Sequence, residues 1–425
     1  MEKKNIFVVG IDEFNYDKLR SIENAHRYRF HELLELPEVK QEDLPLVDLL
    51  DRAEAHLQAF EGSIDAVIGF WDFPVSLMAP YLADRQGLPG PGIESVIRAE
   101  HKYFSREAAN SAAPEHNPAF DLVHPRKPED PGDLKVDFPF WLKPVVAYGG
   151  QLAFRVEDEE SYRQALEEIR KELDRFAGPY NEFLGRICTD QEVCAVGGEW
   201  CIAEGVIGGW QCTLSGFMHD GEMHTYGVVD SINYPDSSSF FRYQYPSRLS
   251  EAVQDRMVEI ARKIIQSMDF DQSPFNMEFY YDEEDDQIWM LELNTRISQS
   301  HTYLYQQVDG VSNHQVLVEA ALGVAPHMPR NKGDYAVAAK FHPRVFEDRQ
   351  VVRAPSQEDL ERLQEKHPDV EFLPEAEEGR RLSEMPNQDP YSYRLARVYI
   401  AADSQEELLD KFQRVMDEAG YEFEE

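Results

Sequence analysis

The chain has 425 residues, and its 80 acidic and 42 basic side chains give a formal net charge of −38. This length favours about two to four domains over a single core. A hydrophobic content of 42% is typical of a globular protein. The negative charge argues against nucleic acid and anionic membranes as partners, because both are bound by basic surfaces. With no apolar run of membrane-spanning length and no signal peptide, the sequence predicts a soluble cytoplasmic protein.

The acidic residues are dispersed over predicted helices and turns rather than gathered in a tail. Such a surface stays soluble at high salt, where long-range repulsion between charges is screened. Two interpretations remain open: adaptation to a salt-rich source, or an ordinary acidic cytosolic enzyme.

The four cysteines fall in one short stretch and contain no CxxC pair. Zinc is therefore not predicted, and disulfides are not expected in a reducing compartment. The sequence predicts small apolar side chains in strands for Cys188, Cys194, Cys201 and Cys212.

The N-terminal part alternates predicted strands and helices, a pattern that indicates a small parallel α/β unit. It contains no GxGxxG motif, so no dinucleotide site is predicted. The predicted strands are 5–10 and 64–70, and the predicted helices are 46–60, 74–86 and 93–109.

The central part combines predicted antiparallel strands with amphipathic helices. One helix opens at Asp158 and is predicted to stop at Gly178 and Pro179. Asp220 and Gly221 are predicted to form a hairpin turn. The other predicted elements are strands at 140–144, 152–156, 199–206, 210–219 and 222–231 and a helix at 250–268.

Beyond Pro329 the pattern predicts a further module of strands and helices. Its last helix begins with a capping box at Ser404. The other predicted elements are strands at 336–341 and 393–401 and a helix at 356–366.

Two segments rich in aromatic and aliphatic residues, 275–281 and 288–296, flank an acidic turn and predict a hairpin. If the loop covers residues 283–287, Glu278 lies opposite Glu292. Side chains alternate along a strand, so the same register places Asn276 opposite Asn294 on the same face.

Like charges that face each other across two strands repel. Such a pair is tolerated when one carboxyl is protonated or when a cation lies between the two. Two carboxylates and an amide, with Arg296 nearby, suit Mg²⁺ that holds phosphate oxygens. The alternative for this segment alone is a sheet with one solvated face, where glutamates are ordinary.

Other groups needed by triphosphate chemistry lie in separate segments. A triphosphate must be met by lysines, by backbone N–H groups of a glycine-rich turn and by Mg²⁺ on carboxylates. Lys143 ends a predicted strand just before the turn with Gly149 and Gly150, and Lys102 lies on an earlier helix. Alone, Lys143 is equally well explained as a lysine that extends to solvent, and glycine pairs are common in hairpins.

Taken in this order, the segments resemble the ATP-grasp superfamily. The most specific motif is E-x-N-x-R at 292–296, which follows Asn276-Met277-Glu278 and a Glu-x-hydrophobic hinge at 204–207. Val308-Asp309-Gly310-Val311 is similar to a turn that follows this motif in the family.

The resemblance implies an α/β fold with an α+β core. Its parts would be a Rossmann-like pre-ATP-grasp domain (residues 1–103), a linker and lid (104–205), a core with the Mg-ATP site (206–328) and a small C-terminal α/β module (329–425).

The resemblance also implies roles for individual residues. The implied ATP contacts are Lys102, Lys143, Gly149, Gly150, Glu204, Gly205, Val206 and Ile207. The implied ligands of Mg²⁺, or alternatively of Mn²⁺, are Glu278, Glu292 and Asn294. Arg296 and Lys143 are the implied catalytic residues, with Arg296 stabilising the transferred phosphoryl group or an acyl phosphate.

One departure from the family narrows the chemistry. The stretch 292–301 is close to that of biotin carboxylase, which has a glutamate before the histidine, whereas this chain has Ser300 before His301. In the carboxylase that glutamate serves as the base for bicarbonate, so the resemblance argues against biotin carboxylation.

The sequence therefore predicts an ATP-dependent carboxylate–amine ligase that forms an amide or peptide bond through an acyl phosphate. The alternatives are a carboxylase that uses bicarbonate and a non-catalytic ATP-binding regulatory protein. The expected partners are a small carboxylate and a small amine, without nucleic acid or membrane, and a homodimer is left open. The candidate substrate contacts are Tyr226, Arg242, Tyr243 and Arg344.

Overall fold

The computed structural model describes residues 3–41, 43–147, 150–187, 192–385 and 392–424. Its N-terminal segment is a parallel sheet in the order β2-β1-β3 with helices around it. Ile6 to Val9 on the central strand are fully buried, as expected for a parallel strand covered on both faces. The elements are β1 (Lys4–Ile11), α1 (Glu13–Arg20), β2 (Tyr28–Glu35), α2 (Leu36–Val39), α3 (Leu46–Ala59), β3 (Ala66–Ile68), α4 (Val75–Arg85), α5 (Ile93–Glu100) and α6 (Lys102–Ala112).

The helix predicted over 93–109 is in fact two helices. His101 between α5 and α6 has an extended backbone, with φ −77° and ψ 110°, which interrupts the helical hydrogen bonds. The N–H group of Lys102 donates instead to the carbonyl of Val145, at 3.0 Å. The break therefore fixes the start of α6, and Lys102 with it, against the next sheet.

The second sheet is antiparallel, in the order β4-β7-β5-β6. The long helix α7 packs its apolar side chains Tyr162, Ile169 and Leu173 on it. The elements are β4 (Phe120–Val123), β5 (Phe140–Pro144), β6 (Phe154–Val156), α7 (Glu159–Ile187) and β7 (Cys201–Gly205).

The predicted end of α7 at Gly178 and Pro179 is wrong, since the helix continues to Ile187. Its apolar face also continues, with Tyr180 and Phe183 buried beyond the proline. Burial of these aromatic side chains offsets the one backbone hydrogen bond that a proline removes.

The third sheet has eight antiparallel strands in the order β12-β11-β8-β9-β10-β13-β18-β16. Helix α8 covers one face with the buried side chains Met257, Ile260 and Ile264. The central elements are β8 (Trp210–His219), β9 (Glu222–Asn233), β10 (Phe240–Tyr245), α8 (Glu251–Gln266), β11 (Ser273–Asp282), β12 (Gln287–Asn294), α9 (Thr302–Asp309) and α10 (His314–Ala321).

Strands from the C-terminal segment extend this third sheet, because β13 pairs with β10 and β18 pairs with β13. The remaining short strands form two small ribbons, β14 with β17 and β15 with β19. The C-terminal elements are β13 (Val337–Phe341), β14 (Arg344–Val345), β15 (Val351–Arg353), α11 (Gln357–Lys366), β16 (Glu371–Pro374), β17 (Tyr393–Arg394), β18 (Ala396–Ala402), α12 (Gln405–Ala419) and β19 (Glu422–Phe423).

Helix α1 joins the N-terminal sheet to the eight-stranded sheet. Phe14 stacks on Tyr399 of β18, with ring centroids 5.5 Å apart. Lys18 forms an ion pair of 2.5 Å with Glu371 of β16. These two contacts hold the N-terminal segment against one end of the eight-stranded sheet.

Two cysteines follow the sequence expectation and one departs from it. Cys201 and Cys212 are buried free thiols, but Cys194 is disulfide-bonded, contrary to the prediction. Cys188 lies outside the described residues. Among the helices that the structure describes, none combines the length and apolar character needed to cross a membrane.

Candidate active site

The hairpin of β11 and β12 has the pairing that the sequence predicts. Glu278 lies opposite Glu292, and Asn276 lies opposite Asn294. The turn is one residue shorter than predicted, because β11 ends at Asp282 and β12 begins at Gln287. A β-bulge next to Glu278 takes up the difference, with Leu291 as the extra residue.

The two carboxylates create an electrostatic problem in the folded protein. Burial, and then the negative charge of Glu292, raises the pKa of Glu278 to about 7. The amide of Gln211 donates one hydrogen bond of 3.1 Å to Glu278. One neutral amide does not neutralise two facing carboxylates, so a cation is needed for both to be ionised at neutral pH.

Arg296 lies next to this pair and is held by the N-terminal segment. Its Nε donates to Oδ1 of Asp72 at 2.8 Å, and a second guanidinium nitrogen donates to the same carboxylate. Burial opposes the charge of Arg296, but Asp72 more than compensates and raises the pKa of the guanidinium. The guanidinium also donates to Oδ1 of Asn294, at 3.3 Å.

These groups line one wall of a cavity of about 460 Å³ between the N-terminal and eight-stranded sheets. A second cavity, of about 210 Å³, continues from it towards the four-stranded sheet. Both cavities share the side chains of Tyr280, Leu291 and Glu292 and the residue Gly150 as walls. The second cavity is also lined by Lys102, Arg106, Trp141, Lys143, Ala147, Gln151, Ala153, Glu204, Gly205 and Ile207.

Glu204, on β7, is the best-neutralised carboxylate of the site. Arg106 contacts it at 2.7 Å and Lys143 at 2.5 Å. Burial alone would raise the pKa of Glu204, but the two cations outweigh it and lower that pKa to about 2. Arg106 also donates to the carbonyls of Met290 and Leu291, each at 2.8 Å, and so ties the four-stranded sheet to the bulge in β12.

Lys102, at the start of α6, points into the same second cavity. Its ammonium group donates to the carbonyl of Ala147. Burial lowers the pKa of Lys102, while the charge of Glu292 acts in the opposite direction. A buried lysine in this position is favourable when an anion is bound beside it.

Comparison with known proteins connects this geometry to one family. Residues 136–302 match the family model of the ATP-grasp domain. This stretch of the chain is an ATP-grasp domain. No curated protein sequence matches the chain.

Several solved structures share the complete ATP-grasp fold of this chain at low sequence identity. An L-amino acid ligase from Bacillus licheniformis is 16% identical, with a TM-score of 0.69 over 100% of this chain and 99% of the other. N5-carboxyaminoimidazole synthetase from Staphylococcus aureus, solved with ADP, is 14% identical, with a TM-score of 0.64 over 98% of both chains. The biotin carboxylase domain of the 2-oxoglutarate carboxylase from Hydrogenobacter thermophilus, solved with MgADP and bicarbonate, is 16% identical, with a TM-score of 0.64 over 100% and 91%.

The predicted glycine turn and hinge of the ATP-grasp domain lie around the second cavity. Gly149 falls outside the described residues, while Gly150 lines both cavities with a positive φ of 73°. The N–H group of Gly205 donates to the carbonyl of Ala119, so a base contact at this residue would use its carbonyl oxygen. Ile207 lines the cavity, and Val206 is largely exposed beside it.

The structure places three predicted substrate contacts away from the cavity. Tyr226 is in the core against Tyr305, and Arg242 bonds Gln244 on its own strand. Arg344 donates to the hydroxyl of Ser392 in the C-terminal segment. These side chains lie on the other face of their strands or in the neighbouring ribbon. The sequence does not give the order of the strands in the sheet, so it does not show which face lines the cavity. Of the four candidates only Tyr243 lines the cavity.

Three functional neighbours were not predicted from the sequence: Asp72, Glu100 and Arg106. Glu100 accepts hydrogen bonds of 2.5 Å each from Ser76 and from Thr295 inside the E-x-N-x-R motif. The three residues come from loops and helices far from the hairpin in sequence. Of the three, only Arg106 could have been predicted from the sequence, because it lies four residues after Lys102 and therefore on the same face of α6.

The metal ligands predicted for the ATP-grasp domain fit a hard cation. Glu278, Glu292 and Asn294 present carboxylate and amide oxygens to one cavity, the donor set that Mg²⁺ prefers. Burial and Glu292 raise the pKa of Glu278 despite the nearby Arg296, so a bound cation would favour the ionised pair. No group of three or more His, Cys, Asp or Glu side chains arranged for a metal occurs within the described residues.

Proposed function

We propose that this ATP-grasp enzyme is an ATP-dependent carboxylate–amine ligase that releases ADP and phosphate. The observation that carries the proposal is the facing pair Glu278 and Glu292, with Arg296 beside it, at the junction of two cavities. One cavity has lysines suited to a triphosphate, and the other has room for a small acid and a small amine. The likeness to an L-amino acid ligase supports this choice.

In this proposal Glu278, Glu292 and Asn294 hold Mg²⁺, which neutralises phosphate charge when it is bound. Lys102 and Lys143 contact phosphate oxygens from the second cavity. Lys143 can leave Glu204 without stranding a buried charge, because Arg106 remains paired with that carboxylate.

The proposed reaction has two steps. A carboxylate oxygen of the first substrate attacks the γ-phosphorus of ATP. The bond from that phosphorus to the bridging oxygen breaks, so ADP leaves and an acyl phosphate remains. The nitrogen of the second substrate then attacks the acyl carbon, and phosphate leaves. Arg296, oriented by Asp72, would bind the transferred phosphoryl oxygens in both steps, because a guanidinium held in place loses little entropy on binding.

The carboxylase alternative shares the fold, since a biotin carboxylase domain is also among the similar structures. The carboxylase alternative lacks support at the position of the base. Biotin carboxylase has a glutamate there, whereas in this chain Ser300 lines the cavity wall. A hydroxyl by itself is a much weaker base than the carboxylate that acts on bicarbonate.

Phosphate release from ATP and Mg²⁺ tests the proposal. We expect release that requires mixed amino acids and increases with an added amine. Release that requires bicarbonate instead would establish a carboxylase, and no release with any substrate would favour a binding protein. The variant Glu283→Gln, in the exposed turn of the hairpin, serves as a control that should keep wild-type activity.

A further inference from the structure

A buried lysine lies directly behind the wall of the larger cavity. Lys340, on β13, is only 7% exposed. Its Nζ lies 2.9 Å from the hydroxyl oxygen of Ser300, and Ser300 lines the cavity that also contains Glu292 and Arg296. Within the described part of the chain this hydroxyl is the only hydrogen-bond partner of the Nζ atom of Lys340.

The surroundings of Lys340 disfavour a positive charge. The rings of Tyr243 and Tyr399 offer a cation only a weak attraction, because their centroids lie at the long distances of 6.0 and 5.6 Å from Nζ. Arg394 and Arg397 lie nearby, and both are ion-paired with the one neighbouring carboxylate, Glu375, at 2.5 and 2.8 Å.

The two histidines near Lys340 cannot balance a positive charge on it, because a histidine side chain is either neutral or cationic. Burial lowers the pKa of His301 to about 3, and it also lowers the pKa of His342. For Lys340 itself, burial and then the two arginines lower the pKa well below its usual value. Burial, the two arginines and the lack of a carboxylate bonded to Nζ among the described residues all favour the neutral amine over the ammonium form.

We propose that Ser300 and Lys340 form a proton relay that deprotonates the ammonium group of the amine substrate. The inference rests on the proposed ligase function and adds a role for the two residues. The relay would give a catalytic role to Ser300, which stands where biotin carboxylase has a glutamate.

The proton balance of the relay is complete. The substrate ammonium gives one proton to the hydroxyl oxygen of Ser300 as the hydroxyl proton passes to Nζ of Lys340. The free amine then attacks the acyl carbon, and the bond from that carbon to the phosphate oxygen breaks. The second nitrogen proton leaves with the departing phosphate, and Lys340 returns its proton to solvent after product release.

A competing role for Lys340 would be to bind the acid substrate as a fixed cation. The two roles predict different results with hydroxylamine, which is already a free base at neutral pH and traps acyl phosphates as hydroxamates. A relay is not needed for hydroxylamine, whereas an anion-binding lysine is needed with either nucleophile.

The test compares Lys340→Met, Lys340→Arg and Ser300→Ala with wild type, using proteinogenic amino acids as acids and glycine or hydroxylamine as the amine. We expect each variant to lose about 10²-fold or more in kcat with glycine and to keep hydroxamate formation within a few-fold. The residual activity with glycine should increase with pH as the free amine becomes more abundant in solution. Exposed Lys127→Met is the matched control and should behave as wild type.

Equal losses with glycine and hydroxylamine in Lys340→Met, restored by Lys340→Arg, would overturn the relay in favour of anion binding. Wild-type activity of Lys340→Met with glycine at neutral pH would also overturn it. Absence of hydroxamate in the wild-type protein with every acid would instead contradict the proposed ligase function, so the two failures are distinguishable.

Discussion

Two glutamates on opposite sides of the site, one buried and one half-buried, have pKa values shifted in opposite directions. Glu204 contacts two cations, and its pKa is lowered to about 2. Glu278 faces another carboxylate, and its pKa is raised to about 7. Glu204 is the more deeply buried of the two and yet has the lower pKa, so the difference comes from their neighbours rather than from depth.

The chain itself neutralises the charge of Glu204, whereas it leaves two carboxylates facing each other at Glu278 and Glu292. Arg106 and Glu204 link the four-stranded sheet to the bulge of β12 and are complete within the chain. Glu278 and Glu292 are incomplete without a cation. We therefore expect changes at Glu204 to act on stability and changes at Glu278 and Glu292 to act on metal-dependent activity.

The largest expected effect is on catalysis. Glu292→Gln should abolish Mg²⁺-dependent turnover, a loss of at least about 10³-fold, because it removes one of two charged ligands. Phosphate release measures the loss, and circular dichroism should show an unchanged fold. Normal activity in this variant would refute the metal assignment.

The next effect is on stability. Arg106→Met should destabilise the protein by about 3–5 kcal/mol, because it removes a cation from a buried ion pair. Urea unfolding measures the change. Arg256→Met breaks a more exposed pair with Asp286 and should cost much less, because solvent screens that pair. Similar costs for the two variants would show that Glu204 is not a structural contact.

A smaller effect depends on pH. Because the folded pKa of Glu278 is raised from 4.5 to about 7, the protein without metal loses stability as pH rises through this interval. Glu278→Gln should therefore raise the melting temperature without Mg²⁺ at about pH 8 and have little effect near about pH 4.5. Added Mg²⁺ should stabilise wild type more than the variant. A pH-independent difference would contradict the repulsion between the two carboxylates.

The smallest expected effect concerns the whole surface. With a net charge of −38, the melting temperature should increase with KCl as repulsion between surface carboxylates is screened. Thermal unfolding across a KCl series checks this, and a flat response would favour an ordinary acidic enzyme over a salt-adapted one.

Local patterns predicted the hairpin well. Alternation of side chains fixed the pairing of Glu278 with Glu292, and the bulge changed only the turn length. Local patterns failed where packing decided the outcome: α7 continues through Pro179 because its apolar face remains buried, and residues 93–109 divide at His101. The position of Tyr226 in the core, rather than at the cavity where a substrate contact was predicted, depends on which elements pack on each face of its sheet. The division into four domains and the roles of single site residues remain predictions.

The sequence by itself indicated the ATP-grasp fold through the order of its motifs, which resembles that of the superfamily. It also indicated the facing carboxylates, because strand alternation is a local property. Only the tertiary structure decided which charges are neutralised. Asp72 reaches Arg296, Arg106 reaches Glu204 and Lys340 reaches Ser300 across long sequence separations. The pKa of a buried group depends on these spatial neighbours, so the fold as a whole sets the chemical state of each residue in the site.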